Sequence, residues 1–304
     1  MRIGLIDIDG HNFPNLVLMK LSAWHKVQGD TVEWAHEFGH YDVLYKSKVF
    51  TFSTERTFFV SADQIFKGGT GYRDYDTILS DEIEHTCPDY SLYPNLSAAY
   101  GFLTRGCPNR CTWCIVPCKE GAIRSHAELS EFIAERKQAI LLDNNVLASE
   151  FGLSQIEDIV RQGIRVDFNQ GLDARIIAES PDIARLLARV KWIRHIRMAY
   201  DHAANEEPVM RAIEKLKAAG VKPYKMWFYV LVKDVPDALR RVEQLRRLGC
   251  VPFAQPYRDF DNNARPTQFQ RDFANWVNKK ELFNSIEFKE FEPRNGFKCA
   301  RYFQ

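Results

Sequence analysis

The chain has 304 residues, 45% of them apolar and 13% aromatic, a composition that supports an extensive core and excludes a disordered segment. Its 41 Lys plus Arg stand against 40 Asp plus Glu, and the resulting net charge of +1 excludes a whole-molecule attraction to nucleic acid or to an anionic membrane, leaving only local basic patches. No uninterrupted apolar run of about 18 residues occurs, and Met1 to Asp9 acquires acids too early for a secretory signal, so a cytoplasmic protein with no membrane partner is expected.

In chain order, the first segment reads as a small α/β domain. A strand is predicted at Arg2 to Asp7, a helix at Asn15 to His25 closed by the turn Gly29-Asp30, and extended runs at Thr31 to Ala35 and Asp42 to Phe50. A short strand ends at Gly68-Gly69-Thr70-Gly71, and Asp81 to Tyr93, without clear periodicity, reads as a linker, giving a first domain over residues 1–95.

From about residue 99 the pattern becomes regular. Apolar runs at Tyr100-Thr104, Ala139-Leu142, Arg165-Phe168, Ile193-Tyr200, Lys225-Leu231 and Val251-Ala254 alternate with amphipathic stretches around Leu129-Lys137, Gln155-Gln162, Asp182-Val190, Pro208-Ala219 and Pro236-Leu248. Gly163, Gly220 and Gly249 stand where helices end. Six βα units predict an α/β fold whose parallel sheet curves into a partial (βα)6 barrel over residues 96–260. Active sites of such barrels lie at the carboxyl ends of the strands, so the loops after Thr104, Leu142, Phe168, Tyr200 and Leu231 are expected to face one cleft. Residues 261–304 hold a predicted helix at Gln268 to Lys280 and a basic, aromatic tail. Arg240, Arg241, Arg246 and Arg247 read first as the exposed face of a helix and second as a nucleic-acid contact.

Seven cysteines is an odd count, and Cys107, Cys111, Cys114 and Cys118 fall within 12 residues, a layout suited to metal rather than to disulfides. Cys107-x3-Cys111-x2-Cys114 opens the loop after the first barrel strand, with Trp113 just before the last cysteine. Three thiolates in one short loop can hold three irons of a cubane and leave the fourth open to an external ligand. Two rivals use Cys118 as a fourth thiolate: a zinc site, which more often joins two separated C-x2-C pairs, and an electron-transfer cluster, whose usual spacing differs. Otherwise Cys118 is a small loop residue or a reactive thiol, and Cys87, Cys250 and Cys299 stand alone.

The cysteine motif, its place after the first strand of a six-unit barrel and Trp113 together resemble the radical S-adenosylmethionine (SAM) superfamily over roughly residues 98 to 258. The resemblance implies that Cys107, Cys111 and Cys114 ligate a [4Fe-4S] cluster and that the amino and carboxylate groups of SAM bind its open iron. An electron from a donor such as flavodoxin or ferredoxin then cleaves SAM to a 5′-deoxyadenosyl radical, which abstracts hydrogen from a substrate. Small molecule, peptide and RNA all remain open as that substrate.

Where the superfamily carries a Gly-Gly-Glu type motif for the methionine amino group, this chain has Asp143-Asn144-Asn145. Asp143 and Asn144 are therefore candidate SAM contacts, with a turn or helix cap as the other reading. Asn169 and Gln170 could bond ribose or substrate, and Arg197 could pair with the SAM carboxylate or belong to a solvated face with Lys191 and Arg194. Adenine is expected near Trp113 and Tyr229 to Val232.

The N-terminal layout resembles that of cobalamin-dependent radical SAM enzymes and of methylthiotransferases. Asp9-Gly10-His11 stands where cobalamin domains carry D-x-H-x-x-G, and Gly68 to Gly71 resembles their Gly-rich loop; Pro14 departs from the pattern and the segment is short for that domain. Methylthiotransferases need three further cysteines here, and only Cys87 is present, so the default reading is a truncated α/β domain with a structural or substrate-docking duty. A cobalamin-dependent methyltransferase and a non-catalytic metal-binding module remain the alternatives.

Overall fold

The computed structural model describes every residue except 11, 12, 56–58, 260, 261 and 263. His11, the candidate cobalt ligand, lies outside the described residues. It is an α/β protein of parallel sheets alternating with helices. No helix among the described residues is long and apolar enough to cross a membrane.

The N-terminal sheet contains β1 (Arg2–Asp7), β2 (Thr31–Trp34), β3 (His40–Ser47) and β4 (Ser61–Gly68) in the order β2-β1-β3-β4, all parallel. Helix α1 (Leu16–Val27) starts at Asn15, whose side chain accepts from the Leu18 N–H. It lays Leu18 and Leu21 against Ile3, Leu5 and Val43, the core of one sheet face. The opposite face holds only a small cluster of Ile6, Tyr41 and Leu44. The predicted linker is instead a packed strap containing α2 (Asp81–Glu84). Tyr93 is buried, its hydroxyl accepting from Asn15 N–H and donating to Asp7, each at 3.0 Å, while Tyr90 donates to the Phe132 carbonyl at 2.7 Å. Two aromatic anchors carry their order in burial rather than in helical or strand periodicity.

The larger region begins with β5 (Ala99–Gly101) and the short antiparallel pair β6 (Thr104–Arg105) and β7 (Arg124–Ser125), between which lies α3 (Val116–Lys119). Then follow α4 (Leu129–Ile133), β8 (Gln138–Leu141), α5 (Glu150–Gln162), β9 (Arg165–Phe168), α6 (Ala174–Glu179), α7 (Pro181–Arg189) and β10 (Lys191–Trp192). The remainder is β11 (Ile196–Ala199), α8 (Glu206–Ala218), β12 (Met226–Val232), α9 (Val235–Arg247), β13 (Val251–Pro256), α10 (Gln268–Asn278) and α11 (Lys280–Ser285). Parallel sheets β10-β9-β8-β5 and β11-β12-β13 meet at a parallel bridge between Leu172 and Met198, where Leu172 N–H donates to Arg197 O at 2.8 Å. Among the described residues nothing pairs β13 with β5, and no closed barrel forms.

Local chemistry sets these boundaries. Ser149, Ser180 and Asp234 cap α5, α7 and α9 through their side chains, and Gly163, at φ +68°, ends α5 in the left-handed conformation that glycine adopts without strain. Alternate residues of β12, Met226, Phe228, Val230 and Val232, are buried, while Trp227, Tyr229 and Leu231 are half-buried on the other face.

Two expectations change. Arg241 is 1% exposed rather than on a solvated face: it donates to Tyr200 O at 2.5 Å, Leu231 O at 2.9 Å and Asp237 at 2.8 Å, tying α9 to the ends of β11 and β12. Alternation of charge along the helix does not reveal that two strand-end carbonyls need a buried donor. The C-terminal tail, unassigned from sequence, packs on α10: Phe269 stacks on Tyr302 at 4.2 Å, and buried Asp272 holds Arg294 at 2.7 Å and the Tyr302 hydroxyl at 2.5 Å. Asn278 of α10 accepts from Ala254 N–H at 2.8 Å and donates to Ala254 O at 2.9 Å, satisfying the backbone of that one residue at the edge of β13.

Candidate cluster and cofactor site

The cysteine loop runs from β6 to α3. Gly106 opens it at φ +79°, and a Cβ there would sit 2.1 Å from Ala122 O, so only glycine fits this turn. Gly106 N–H donates to Glu120 at 3.0 Å and Cys107 N–H to Gly121 O at 3.1 Å, while Glu120 also takes Asn144 Nδ2 at 2.8 Å and Arg105 Nε at 3.2 Å. Glu120 thus fastens the start of the loop to the end of β8.

Cys107 and Cys111 are half-buried, and Cys114 and Cys118 are exposed. Cys114 N–H bonds back to Cys111 O at 3.0 Å, whereas Cys118 lies within α3, past that turn. Burial raises the Cys111 thiol above its ordinary value, and so does the charge of Cys114, against the opposing pull of Arg175; for Cys114 burial again leads, with Cys107 contributing. The thiols are near enough to resist joint ionisation, a resistance that a bound metal cation removes.

Asn145 follows β8 and is 3% exposed; its Nδ2 donates to Asp173 at 3.2 Å and lies 3.6 Å from Cys107 Sγ. Its Oδ1 is buried with no partner. Asp173, after β9, also accepts from Asn109 Nδ2 at 3.0 Å and from the Arg175 guanidinium at 2.7 and 2.8 Å. Burial opposes its charge, but Arg175 and Asn109 outweigh burial and hold the carboxyl below its ordinary value. Beyond β11, His202 stacks on Trp113 with centroids 6.3 Å apart and planes 11° apart, and Asp201, its carboxyl raised by burial, accepts from Leu231 N–H at 3.0 Å. A shallow cleft of about 460 Å³ opens beside the loop, lined by Pro108, Asn109, Asp173, Arg175, Ile176 and Ile183.

The structure therefore gathers Cys107, Cys111, Cys114, Trp113 and Asn144 with residues from the loops after β8, β9 and β11. The other candidates are engaged with partners of their own or exposed. Asp143 is 2% exposed and turned into the scaffold, where Oδ1 accepts from Leu103 N–H at 3.1 Å, Thr104 N–H at 2.6 Å and the Thr104 hydroxyl at 2.7 Å; burial pushes its carboxyl up to about 6. It fixes the approach to the cysteine loop through these bonds. Arg197 is already engaged, bidentate on buried Asp167 at 2.6 and 2.7 Å and 3.0 Å from the Tyr229 hydroxyl. Asn169 contributes its carbonyl to the Tyr229 hydroxyl at 2.8 Å, and Gln170 is exposed.

Residue-type reasoning passed over Glu120, the orphaned oxygen of Asn145 and the Asn109–Asp173–Arg175 group. Asp173 two residues before Arg175 is readable as a helix cap; nothing local marks Glu120, whose partners come from three separate segments. In the N-terminal sheet, Asp9 accepts from Val49 N–H at 2.5 Å, Phe50 N–H at 3.2 Å and the Ser53 hydroxyl at 2.5 Å. Gly69, at φ +110°, lets its chain pass Lys48 so closely that a Cβ would lie 2.3 Å from Lys48 O.

Among the described residues no three His, Cys, Asp or Glu converge to hold a metal ion. One zinc ion would need every sulfur about 2.3 Å from a single centre. A cubane offers a separate iron to each thiolate and suits a wider set. The donors present are three thiols in one loop, with an unpartnered amide oxygen and an open cleft beside them. No protein-family model matches this chain, and no curated protein matches it.

Proposed function

We propose that this chain is a radical SAM enzyme whose β5, β8, β9, β11, β12 and β13 form the wall of a partial (βα)6 barrel. The observation that carries the reading is the Cys107-x3-Cys111-x2-Cys114 loop, set where the loops following β8, β9 and β11 bring Asn145, Asp173 and His202 to it. That is the end of a parallel α/β sheet where ligands bind.

A [4Fe-4S] cluster on the three thiolates would supply the electron for reductive cleavage of SAM, giving a 5′-deoxyadenosyl radical that takes hydrogen from a substrate C–H bond. The chain's own residues do the rest. Asn145 Oδ1, buried and unpaired, offers an acceptor to an ammonium or amide donor arriving beside Cys107. Glu120 and Asp143 hold the two ends of the strand-to-loop passage in one conformation. Trp113, packed on His202, presents an aromatic surface for adenine. The substrate class stays open between small molecule, peptide and RNA, with flavodoxin or ferredoxin as the class of electron donor.

The test is anaerobic reconstitution with iron and sulfide, followed by dithionite and SAM, with iron counting and detection of 5′-deoxyadenosine. The expected result is a cubane per chain and 5′-deoxyadenosine that disappears in the triple Cys→Ala variant. Protein that takes up zinc and no cluster, or a cluster indifferent to the three cysteines, overturns the proposal.

A further inference from the structure

Strands β5 and β13 each end their sheet, nothing pairs one with the other among the described residues, and the N-terminal loops touch the chain at both. Phe13, after β1, sets its ring edge-on to Tyr100 of β5 with centroids 5.5 Å apart. Phe52, after β3, lies under the guanidinium of Arg258, just past β13 and 4.9 Å from the ring centre. Arg258 stands at the same end of the parallel strands as the cysteine loop.

The loop after β3 is held in place. Asp9 accepts from Val49 N–H, Phe50 N–H and the Ser53 hydroxyl, and Gly71 N–H donates to Lys48 O at 2.9 Å. The two segments pass so closely that a Cβ on Gly71 would lie 2.9 Å from Phe50 O. Yet Phe50 and Phe52, stacked with centroids 5.2 Å apart and planes 21° apart, are 50% and 54% exposed, and Phe13 is 51% exposed. Flat apolar faces kept in water by a fixed loop mark a binding surface.

The charge beside these rings is mainly positive. Between Lys46 and Val60 the sequence sets one acid, Glu55, against Lys46, Lys48 and Arg56. Lys48 Nζ lies over the Tyr72 ring at 5.6 Å, Lys46 and Lys67 stand in register at the ends of β3 and β4, and Lys233, after β12, lies over Tyr257 at 5.3 Å. None of these four lysines makes an ion pair among the described residues. The carboxylates at the same strand ends, Asp7 and Asp9, are turned to Tyr93 and to the loop backbone.

We infer that this surface takes an unpaired strand of RNA, its bases stacking on Phe50 and Phe52 and its phosphates meeting the lysines and Arg258. Aromatic rings flanked by cations hold single strands with little regard to sequence, because every base has a flat face. A duplex hides those faces, whereas RNA loops leave bases unpaired and free to stack on protein rings. A small aromatic ligand uses one ring and one charge, but these cations are spread over the ends of β3, β4 and β12, which suits a chain of phosphates. The surface holds the strand, and the chemistry stays with the thiols. As a statement of substrate class this inference rests on the radical SAM reading; as a binding site it needs neither cluster nor SAM.

Fluorescence anisotropy of a labelled single-stranded RNA of about ten nucleotides, on the full chain with and without a reconstituted cluster, tests it. Both preparations are expected to bind, and the same sequence as a duplex to bind more weakly. Phe50→Leu and Phe52→Leu keep the apolar bulk but lose the flat ring, and each is expected to weaken binding about tenfold, while Phe50→Tyr and Phe52→Tyr preserve it. Should the ring variants misfold by circular dichroism, exposed Lys67→Gln gives a second route: the slope of log affinity against log salt should fall by about 0.7. No binding at low salt, preference for the duplex, or binding indifferent to both the rings and Lys67 overturns the inference. A free nucleotide that displaces the strand at equal concentration makes the ligand a small molecule and overturns it too. RNA binding by a chain that forms a cluster but no 5′-deoxyadenosine removes the radical SAM reading and leaves this site standing; 5′-deoxyadenosine without RNA binding does the reverse.

Discussion

Both halves of the molecule are parallel sheets, and both place polar side chains just past the carboxyl ends of their strands, but they use them differently. After β1, Asp7 accepts from Tyr93 and Asp9 from the chain at Val49, Phe50 and Ser53, so these carboxylates serve the sheet's own loops. After β6, β8 and β9 the same structural position holds three thiols, a buried amide oxygen with no partner, and a cleft. Topology alone therefore does not make a site. What distinguishes the two ends is whether the polar groups there are already satisfied by the fold.

The sharpest way to break this contrast is to remove the thiols. Cys107→Ala, Cys111→Ala and Cys114→Ala are each expected to abolish cluster iron after reconstitution, while Cys118→Ala retains it. Equal iron in all four variants would make the larger region as inert as the smaller one. Next in size is Arg197→Met. It strands the Asp167 carboxylate, 4% exposed, without its bidentate partner, and a buried ion stripped of its pair costs about 3–5 kcal/mol. Urea unfolding reads this directly, and a loss below about 1 kcal/mol would mean that water replaces the guanidinium at Asp167.

Arg197 also marks the limit of what the sequence discloses. Its strand and the neighbouring β9 and β12 are legible from apolar runs with caps and glycines between them, and five of the six strands expected from residue 99 onward appear within about three residues of their expected ends. The sixth run, Tyr100 to Thr104, splits into β5 and β6, because Asp143 pulls Leu103 and Thr104 N–H away from strand pairing. The helix expected to reach Lys137 stops at Ile133, where Ala134 takes φ +48°, a conformation that residue type does not announce. The cysteine loop was legible because its thiols are local, three within eight positions. Its supports were not: Asn109 meets Asp173 across 64 residues, and Arg197 meets Asp167 across 30. A charge that looks available in sequence is often already paired by a residue that only folding brings near.

Asp143 gives a smaller and more specific effect. Burial lifts its folded carboxyl from an ordinary value of 3.8 to about 6, so between these values the folded state binds the proton more tightly than the unfolded state does. Stability then falls as pH rises through this window, by roughly 3 kcal/mol in all at about 1.4 kcal/mol per unit. Asp143→Asn keeps an acceptor for Thr104 but cannot titrate, so the difference in unfolding free energy between it and the wild type should change across the window and be flat outside it. A constant difference would place the titration elsewhere and return Asp143 to the candidates for ligand binding.

The smallest effect is the one that most sharpens the comparison. Asp9→Ala removes a carboxylate that holds two backbone N–H groups and the Ser53 hydroxyl, at a cost of about 1–3 kcal/mol in unfolding free energy. Because those partners all belong to the loop after β3, the loss should stay within the N-terminal sheet, leaving iron content and 5′-deoxyadenosine formation unchanged. A variant of normal stability that loses either one would place Asp9 in the chemistry and join the two strand ends into a single site. Unchanged chemistry with the expected loss of stability would instead confine Asp9 to its loop and leave the reaction to the region that carries the thiols.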